Sequence, residues 1–186
     1  MAAKKVAVLI GSLRKESLTR KYAHAIGALL PASLEAVFVE LGDMPLYNED
    51  LEGADVPASW TKFRETLKGA DAVLFVSPEY NRTIPGALKN AIDVGSRPWG
   101  ESIWDGKPAA VVTQSPGATG GFGANHNIRQ AVVFLNVPVM PTPEVYIGNS
   151  AKLLGDDGSI ANEQTKEFLT KFGAAFAQWV ETNAKK

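Results

Sequence analysis

The sequence contains no cysteine. Disulfides, iron–sulfur clusters and thiol nucleophiles are thereby excluded, and nothing argues for an oxidising compartment. Histidine is scarce: His24 and His126 are the two residues of this type. They stand far apart and in no metal-ligand spacing, so no metal site is expected. Charge of one sign is also missing. Nineteen basic residues (Lys+Arg 19) against 20 acidic ones give a net charge of -1, so no global field recruits nucleic acid or a membrane surface. Long hydrophobic runs are absent too. Val6–Ile10 is too short for a signal-peptide core, and no later stretch reaches membrane-spanning length. A cytoplasmic location is the expectation. No tyrosine is followed by lysine four residues on, which argues against a short-chain dehydrogenase.

What is present alternates. Lys5–Ile10 is a continuous apolar run, the pattern of a strand buried on both faces. Ser17 opens a helical stripe of Tyr22, Ile26, Leu29 and Leu30 that Pro31 ends. Leu34–Leu41 reads as a second strand, Pro57–Lys68 as a helix carrying Trp60, Phe63, Arg64 and Leu67 at helical spacing, and Ala72–Val76 as a third strand. A short helix over Pro85–Val94, a strand over Ala109–Thr113 and a helix over Asn125–Leu135 follow. Val139–Ile147 predicts a fifth strand at the sheet edge, because its prolines cannot donate ladder hydrogen bonds. Glu163–Val180 closes the chain as an amphipathic helix. Strands separated by helices imply parallel βαβ units with helices on both faces of one sheet. The fold class is a doubly wound five-stranded parallel α/β sheet, and all 186 residues are expected to form a single domain. In such sheets ligands bind beyond the carboxyl ends of the strands, where strand order reverses.

Three loops therefore carry the functional argument. Gly11–Arg20 follows the first strand and leads into a helix. It lacks the GK[ST] ending of a P-loop and the G-x-G-x-x-G of a dinucleotide fold. It offers hydroxyls at Ser12, Ser17 and Thr19, a guanidinium at Arg14 and free N–H groups at a helix start, which suits one phosphate monoester. The alternative is that Ser17 only caps the helix. Ser77–Gly86 follows the third strand, and its two bracketing prolines stiffen a loop that could present fixed N–H groups to a flat heterocycle. An ordinary strand-to-helix turn is the alternative. Ser115–Gly123 follows the fourth strand; its glycines permit close approach to a ligand, the alternative being a lid without specific contacts.

Together, G-S-L-R-x-x-S after strand one, P-E-Y-N-R followed by I-P-G-x-L-K-N-A-I-D after strand three, and S-P-G-A-x-G-G after strand four resemble the NADPH-dependent FMN reductase family, and within it the bacterial chromate/quinone reductase branch. The resemblance runs from about Val6 to Tyr146. It implies a flavodoxin-like fold, noncovalently bound FMN, NADPH or NADH as co-substrate, and a homodimer or homotetramer. By position it implies that Ser12, Arg14, Ser17, Leu18 and Thr19 hold the FMN phosphate. Pro78, Glu79, Tyr80 and Asn81 would line the isoalloxazine, with Ser115, Gly117, Gly120 and Gly121 at its other edge. Two departures stand out: the family often has a small residue near Glu16 and Asn where Thr19 stands, so the Glu16 carboxylate is expected to point away. The same resemblance puts the Asn125–Arg129 region, with His126, and Glu144 near a tetramer contact; the acidic stretch Asp43–Asp55 does not fit calcium-loop spacing and reads as a solvated loop, which the resemblance would set over a neighbouring subunit's flavin.

Flavin chemistry needs no side-chain nucleophile, so no catalytic residue is assigned. Hydride transfer from NAD(P)H and ping-pong turnover to a quinone, chromate, an azo dye or free flavin are expected. Arg82 and Arg97 are the candidate substrate-binding cations, Arg97 being favoured because Arg97-Pro-Trp99 leaves the third helix where a cleft wall would lie. The Trp99–Trp104 segment is a subunit interface, a cleft wall or core. The chief rival is a flavodoxin-type electron carrier without NAD(P)H turnover, disfavoured by the near-neutral charge. A phosphate-binding regulatory module, colourless when purified, is the other.

Overall fold

Beneath the three loops lies a parallel sheet whose strands are almost wholly apolar. The computed structural model describes residues 2–184. The strands are β1 (Lys4–Ile10), β2 (Leu34–Val39), β3 (Ala72–Ser77), β4 (Ala109–Gln114) and β5 (Val145–Ile147), arranged 2-1-3-4-5. All pairings are parallel. The helices are α1 (Leu18–Leu29), α2 (Ala58–Lys68), α3 (Gly86–Gly95), α4 (Phe122–Val133) and α5 (Glu163–Asn183). This is the flavodoxin-like, doubly wound sheet that the sequence pattern predicts, and its order reverses between β1 and β3.

Alternation along the strands sorts side chains to two cores. Val6, Val8, Leu74, Val76 and Val112 face α1 and α5, meeting Tyr22, Ile26, Phe172 and Phe176. Ala7, Leu9, Phe75 and Val111 face the other way, against Trp60 of α2, Leu88 and Ile92 of α3, Ile128 of α4 and Trp104. Both sides are buried, which is why β1, β3 and β4 read as unbroken apolar runs. Truncating a fully buried aromatic such as Trp60 or Phe172 in these layers costs roughly 3–5 kcal/mol.

Three boundaries differ from expectation for identifiable reasons. β2 stops at Val39 because its last paired residue faces Leu9, where the ladder with β1 ends. The fifth strand shrinks to Val145–Ile147, with Val139 making a lone bridge to Ala109; Pro141 and Pro143 fall between. It does lie at the sheet edge. α4 begins at Phe122, three residues before the expected Asn125, because its N-terminal cap comes from elsewhere in the chain, as described below.

The acidic loop is not simply solvated. Asn90 of α3 accepts from the Tyr47 N–H at 2.8 Å and donates to the Pro45 carbonyl at 2.9 Å. Trp60 Nε1 donates to the same carbonyl at 3.1 Å, and Glu52 pairs with Arg64 of α2. The tryptophan segment divides. Trp104 is buried and donates from Nε1 to the Ile92 carbonyl at 2.9 Å, whereas Trp99 is 77% exposed.

Candidate active site

At the carboxyl end of the sheet the loops after β1, β3 and β4 stand side by side, since β1, β3 and β4 are neighbours. Gly11 leaves β1 with its N–H on the Val76 carbonyl at 2.8 Å. A Cβ at Gly11 would lie 2.7 Å from Ser77 Oγ, so only glycine lets the first two loops start this close together. Ser12 is buried and Arg14 is exposed, its guanidinium making no ion pair among the described residues. Ser17 is the N-cap of α1, accepting from the Arg20 N–H at 3.0 Å. The capping role is thus real, and the hydroxyl proton remains for a ligand. Leu18 and Thr19 open the helix, and their N–H groups point out of its end. Glu16 is exposed.

The loop after β3 is tighter than its two prolines predict. Tyr80 and Thr83 exchange backbone hydrogen bonds at 3.1 and 3.0 Å, and both residues between them are left-handed: Asn81 at φ 50° and Arg82 at φ 65°. This is a two-residue reversal with the backbone signature of a type I′ turn, which favours Asn at its first position and glycine at its second. Arg82 occupies that second position at some conformational cost. Its guanidinium bonds Glu79 at 3.0 Å. The other Glu79 oxygen accepts from the Ala124 N–H at 3.1 Å. Because the N-cap residue of α4, Gly121, has no side chain, Glu79 supplies the cap from 45 residues upstream. The Glu79 carboxylate is therefore committed to joining two loops, and what the turn presents upward is Tyr80, 47% exposed.

The glycines of the third loop serve the protein first. Gly120 and Gly121 have φ of 62° and 78°, and a Cβ on Gly120 would sit 2.6 Å from the Tyr146 carbonyl carbon. The missing side chain of Gly120 lets the loop lie on β5, that of Gly121 on β4, and that of Gly123 against the Arg82 carbonyl, so three of the four glycines are explained by packing, and Gly117 stays exposed. Ser115 accepts from the Gly117 N–H at 3.1 Å and tethers the segment after β5, its carbonyl accepting from the Ser150 N–H.

Between the first two loops opens a cavity of about 290 Å³ lined by Gly11, Leu13, Arg14, Tyr80, Pro85, Gly86 and Ala87. Gly86 and Ala87 begin α3, whose N-cap, Pro85, offers no side-chain acceptor. None of α1, α3 and α4 carries an acidic residue in its first turn. The N-terminus of α3 thus borders the cavity with its partial positive charge uncompensated, that of α1 follows the first loop with only the neutral Ser17 as cap, and that of α4 is met by the Glu79 carboxylate. Hydroxyls, a free guanidinium and outward N–H groups at one end, with Tyr80 and Leu13 exposed at the rim, form the donor set that a phosphate monoester joined to a flat polar ring requires.

Arg97 is not among these groups. It follows the C-terminus of α3, and ten helical residues, about 15 Å, separate that end from the cleft. There it donates to the Ser96 carbonyl and hydroxyl, with Trp99 ring atoms beside it. Within this chain α3 runs antiparallel to the strands and carries Arg97 away from that cavity, and Arg97 lines two other clefts instead. His126 packs on Phe122, ring centres 4.2 Å apart, with Nε2 3.2 Å from the Tyr146 hydroxyl, and serves no group in the cleft. Sequence reasoning missed Gln114 and Ser150, which lie beneath the first loop.

The model of the NADPH-dependent FMN reductase family matches residues 4–152. A quinone reductase from Pseudomonas putida is 57% identical over 178 residues, 96% of this chain and 95% of that protein. A 2-hydroxy-1,4-benzoquinone reductase from Burkholderia is 40% identical over 95% of this chain and 96% of its own length. Among solved structures, the flavoenzyme NAD(P)H:(acceptor) oxidoreductase FerB of Paracoccus denitrificans superposes with a TM-score of 0.93 at 41% identity, covering 98% of this chain and 100% of that one. An FMN-dependent NADH-azoreductase of Bacillus anthracis, in complex with FMN, shares the fold at a TM-score of 0.61 and 14% identity. The chain belongs to the NADPH-dependent FMN reductase family and is an FMN- and NAD(P)H-dependent oxidoreductase.

Proposed function

We propose that this enzyme is a quinone reductase in which one FMN-binding domain, residues 1–186, passes two electrons from NADPH or NADH to a quinone, with chromate, azo dyes and free flavin as further acceptors. The observation that carries the reading is the open cleft bordered by the uncompensated N-terminus of α3 and by the loop that leads into α1, in a chain 57% identical to a quinone reductase. Family membership sets aside the electron-carrier and regulatory alternatives.

FMN, when bound, accepts a hydride equivalent from the nicotinamide and returns two electrons to the acceptor. The chain's own part is to bind and orient. Ser12, Arg14 and Ser17, with the N–H groups of Leu18 and Thr19, hold the phosphate by charge-assisted hydrogen bonds. The reversal at Asn81–Arg82, locked by Glu79, fixes Pro78, Tyr80 and Asn81 as one wall of the ring site. Ser115, Gly117, Gly120 and Gly121 form the opposite edge. Arg82, exposed above the turn, is placed to meet anionic groups of NAD(P)H or of chromate. The exposed rim leaves one face for donor and acceptor in turn, which gives ping-pong kinetics. Assembly into a homodimer or homotetramer is supported by the apolar side chains that α4 and its C-terminus leave exposed, Phe122, Val133 and Phe134. No helix among the described residues is long and apolar enough to cross a membrane, and a cytoplasmic site of action is part of the reading.

The test is a visible spectrum of the purified protein, taken before and after anaerobic NADPH or NADH and again after benzoquinone. A flavin band that bleaches and then recovers supports the proposal. A bound flavin that bleaches but never recovers with any quinone overturns the acceptor assignment, and initial-rate patterns that intersect rather than run parallel overturn ping-pong turnover.

A further inference from the structure

Under the first loop lies a buried chain of hydrogen bonds that none of the binding roles above uses. Gln114 ends β4 with its side chain on the α1 face of the sheet, 4% exposed. Its Nε2 donates to Thr19 Oγ1 at 2.8 Å, and its Oε1 accepts from Ser150 Oγ at 2.6 Å. Ser150, fully buried, closes the circuit, since its carbonyl accepts from the Tyr22 hydroxyl at 2.7 Å. Thr19 and Tyr22 lie three residues apart on one face of α1. The first turn of the helix is therefore fastened at two points to the carboxyl ends of β4 and β5. Ser150 also fastens the third loop, its N–H donating to Ser115, while the preceding Asn149 N–H donates to the Gly117 carbonyl at 2.9 Å.

A polar glutamine and two hydroxyls inside an apolar layer are costly unless fully paired, and here every buried side-chain polar atom among the described residues has a partner. The Thr19 hydroxyl, 1% exposed and engaged by Gln114, is better suited to anchoring the helix than to touching a ligand. The outward groups at this helix end are the N–H donors of Leu18 and Thr19 and the hydroxyls of Ser12 and Ser17. Their aim depends on where the first turn sits, and small displacements of such donors weaken a charge-assisted contact steeply.

We propose that Gln114 is a positioning residue for phosphate recognition: through Thr19 and Ser150 it holds the N-terminus of α1 so that its donors converge on the phosphate of FMN. The inference rests on the placement of that phosphate at the first loop. It makes a prediction that core packing alone does not, because riboflavin shares the ring and ribityl chain but lacks the phosphate. Loss of the relay then weakens FMN and spares riboflavin.

The experiment measures dissociation constants for FMN and riboflavin by flavin-fluorescence quenching on the apoprotein of the wild type, Gln114→Leu, Thr19→Val, Thr19→Ser and the Gln114→Leu/Thr19→Val double variant. Far-UV circular dichroism checks folding. Thr19→Val keeps the side-chain shape and covers the case in which Gln114→Leu does not fold. The expected result is a loss of about tenfold in FMN affinity for each of the first two variants, with riboflavin affinity changed by less than about twofold. Thr19→Ser restores the wild-type constant, and the double variant is no weaker than either single one, as groups acting through one relay require. Equal weakening of FMN and riboflavin overturns the proposal in favour of a purely structural role, as does unchanged FMN affinity in folded variants. A wild-type protein that does not distinguish FMN from riboflavin removes the phosphate site itself, and the proposal with it.

Discussion

At the amino ends of the strands, the C-termini of α2 and α3 are met by cations. Arg64 donates to the Val94 carbonyl in the last turn of α3, Arg97 to the Ser96 carbonyl just beyond it, and Lys107 to the Ala70 carbonyl after α2. At the carboxyl ends, α1, α2, α3 and α4 have no acidic residue in their first turns. Helix dipoles favour cations at the C-terminus and anions at the N-terminus. The C-termini of α2 and α3 are compensated by the chain's own side chains, whereas the N-termini of α1 and α3 are left for a ligand to compensate. The single carboxylate held among the cleft loops, Glu79, is neutralised by Arg82 and the Ala124 N–H. The difference teaches that the position of a charge relative to a helix end, rather than its presence near a helix, separates a binding group from a structural one.

The comparison breaks most visibly where the open end is held in shape. Gly120→Ala puts a Cβ into the backbone of Tyr146 at a left-handed φ of 62°. Strain and overlap together cost about 3 kcal/mol, which lowers Tm by roughly 10 °C in a chain of this size. A thermal melt within about 2 °C of wild type contradicts the packing assigned to this loop. Next comes the unpaired cation of the open end. Arg14→Ala removes a charge-assisted contact worth about 1.5–3 kcal/mol, so the Kd for FMN rises by between about 10-fold and 100-fold while Tm of the apoprotein stays put. Undiminished FMN binding removes Arg14 from the phosphate site.

How legible each end is in the sequence follows from how local its interactions are. The β1 run and the Ser17 cap are visible because they involve residues within one strand or one turn, and α1 starts where Ser17 predicts. The start of α4 is not visible, since its cap, Glu79, lies 45 residues upstream. Gln114 and Thr19 are 95 residues apart; the one available signal is an amide closing an otherwise apolar strand. Gly120 and Gly121 advertise conformational freedom without saying whether a ligand or the ends of β4 and β5 use it. Arg97 is ambiguous for a related reason. An arginine after a helix carries the same local pattern whether that helix end faces a cleft or faces away, and only the antiparallel run of α3 decides between them.

Smaller effects sharpen the contrast. Glu79→Ala orphans the Ala124 N–H and releases Arg82, costing about 1 kcal/mol as for other lost helix caps. Glu79→Gln retains an acceptor and gives up only the ion pair with the exposed Arg82 guanidinium, so chemical denaturation places it below the cost of Glu79→Ala; equal losses would make the charge, not the cap, the useful part. Burial pushes the Tyr22 hydroxyl up to about 12. The unfolded chain releases this proton near 10 while the folded chain still holds it, so stability is full below pH 10 and falls between about pH 10 and 12. Tyr22→Phe removes that share of the alkaline loss, seen as a shallower decline in urea midpoint over the same window. A decline identical to wild type means that other groups carry it.

The smallest expected effect lies at the compensated end. Arg97 meets the C-terminus of α3 and stacks near an exposed Trp99, its guanidinium carbon 5.5 Å from the ring centre. A cation at a helix C-terminus is worth about 0.3–1 kcal/mol, so Arg97→Ala lowers Tm by about 1–4 °C. Its KM for NADPH, NADH or chromate stays within about twofold of wild type, because ten helical residues separate it from the cleft. Steady-state kinetics on the FMN-loaded enzyme decide the matter alongside Arg82→Ala, whose exposed guanidinium rises from the turn above the cleft. If Arg97→Ala raises KM and Arg82→Ala does not, the two ends of the sheet have exchanged roles. Arg97 would then have to act on a site to which its own chain does not bring it, such as the cleft of an adjoining subunit.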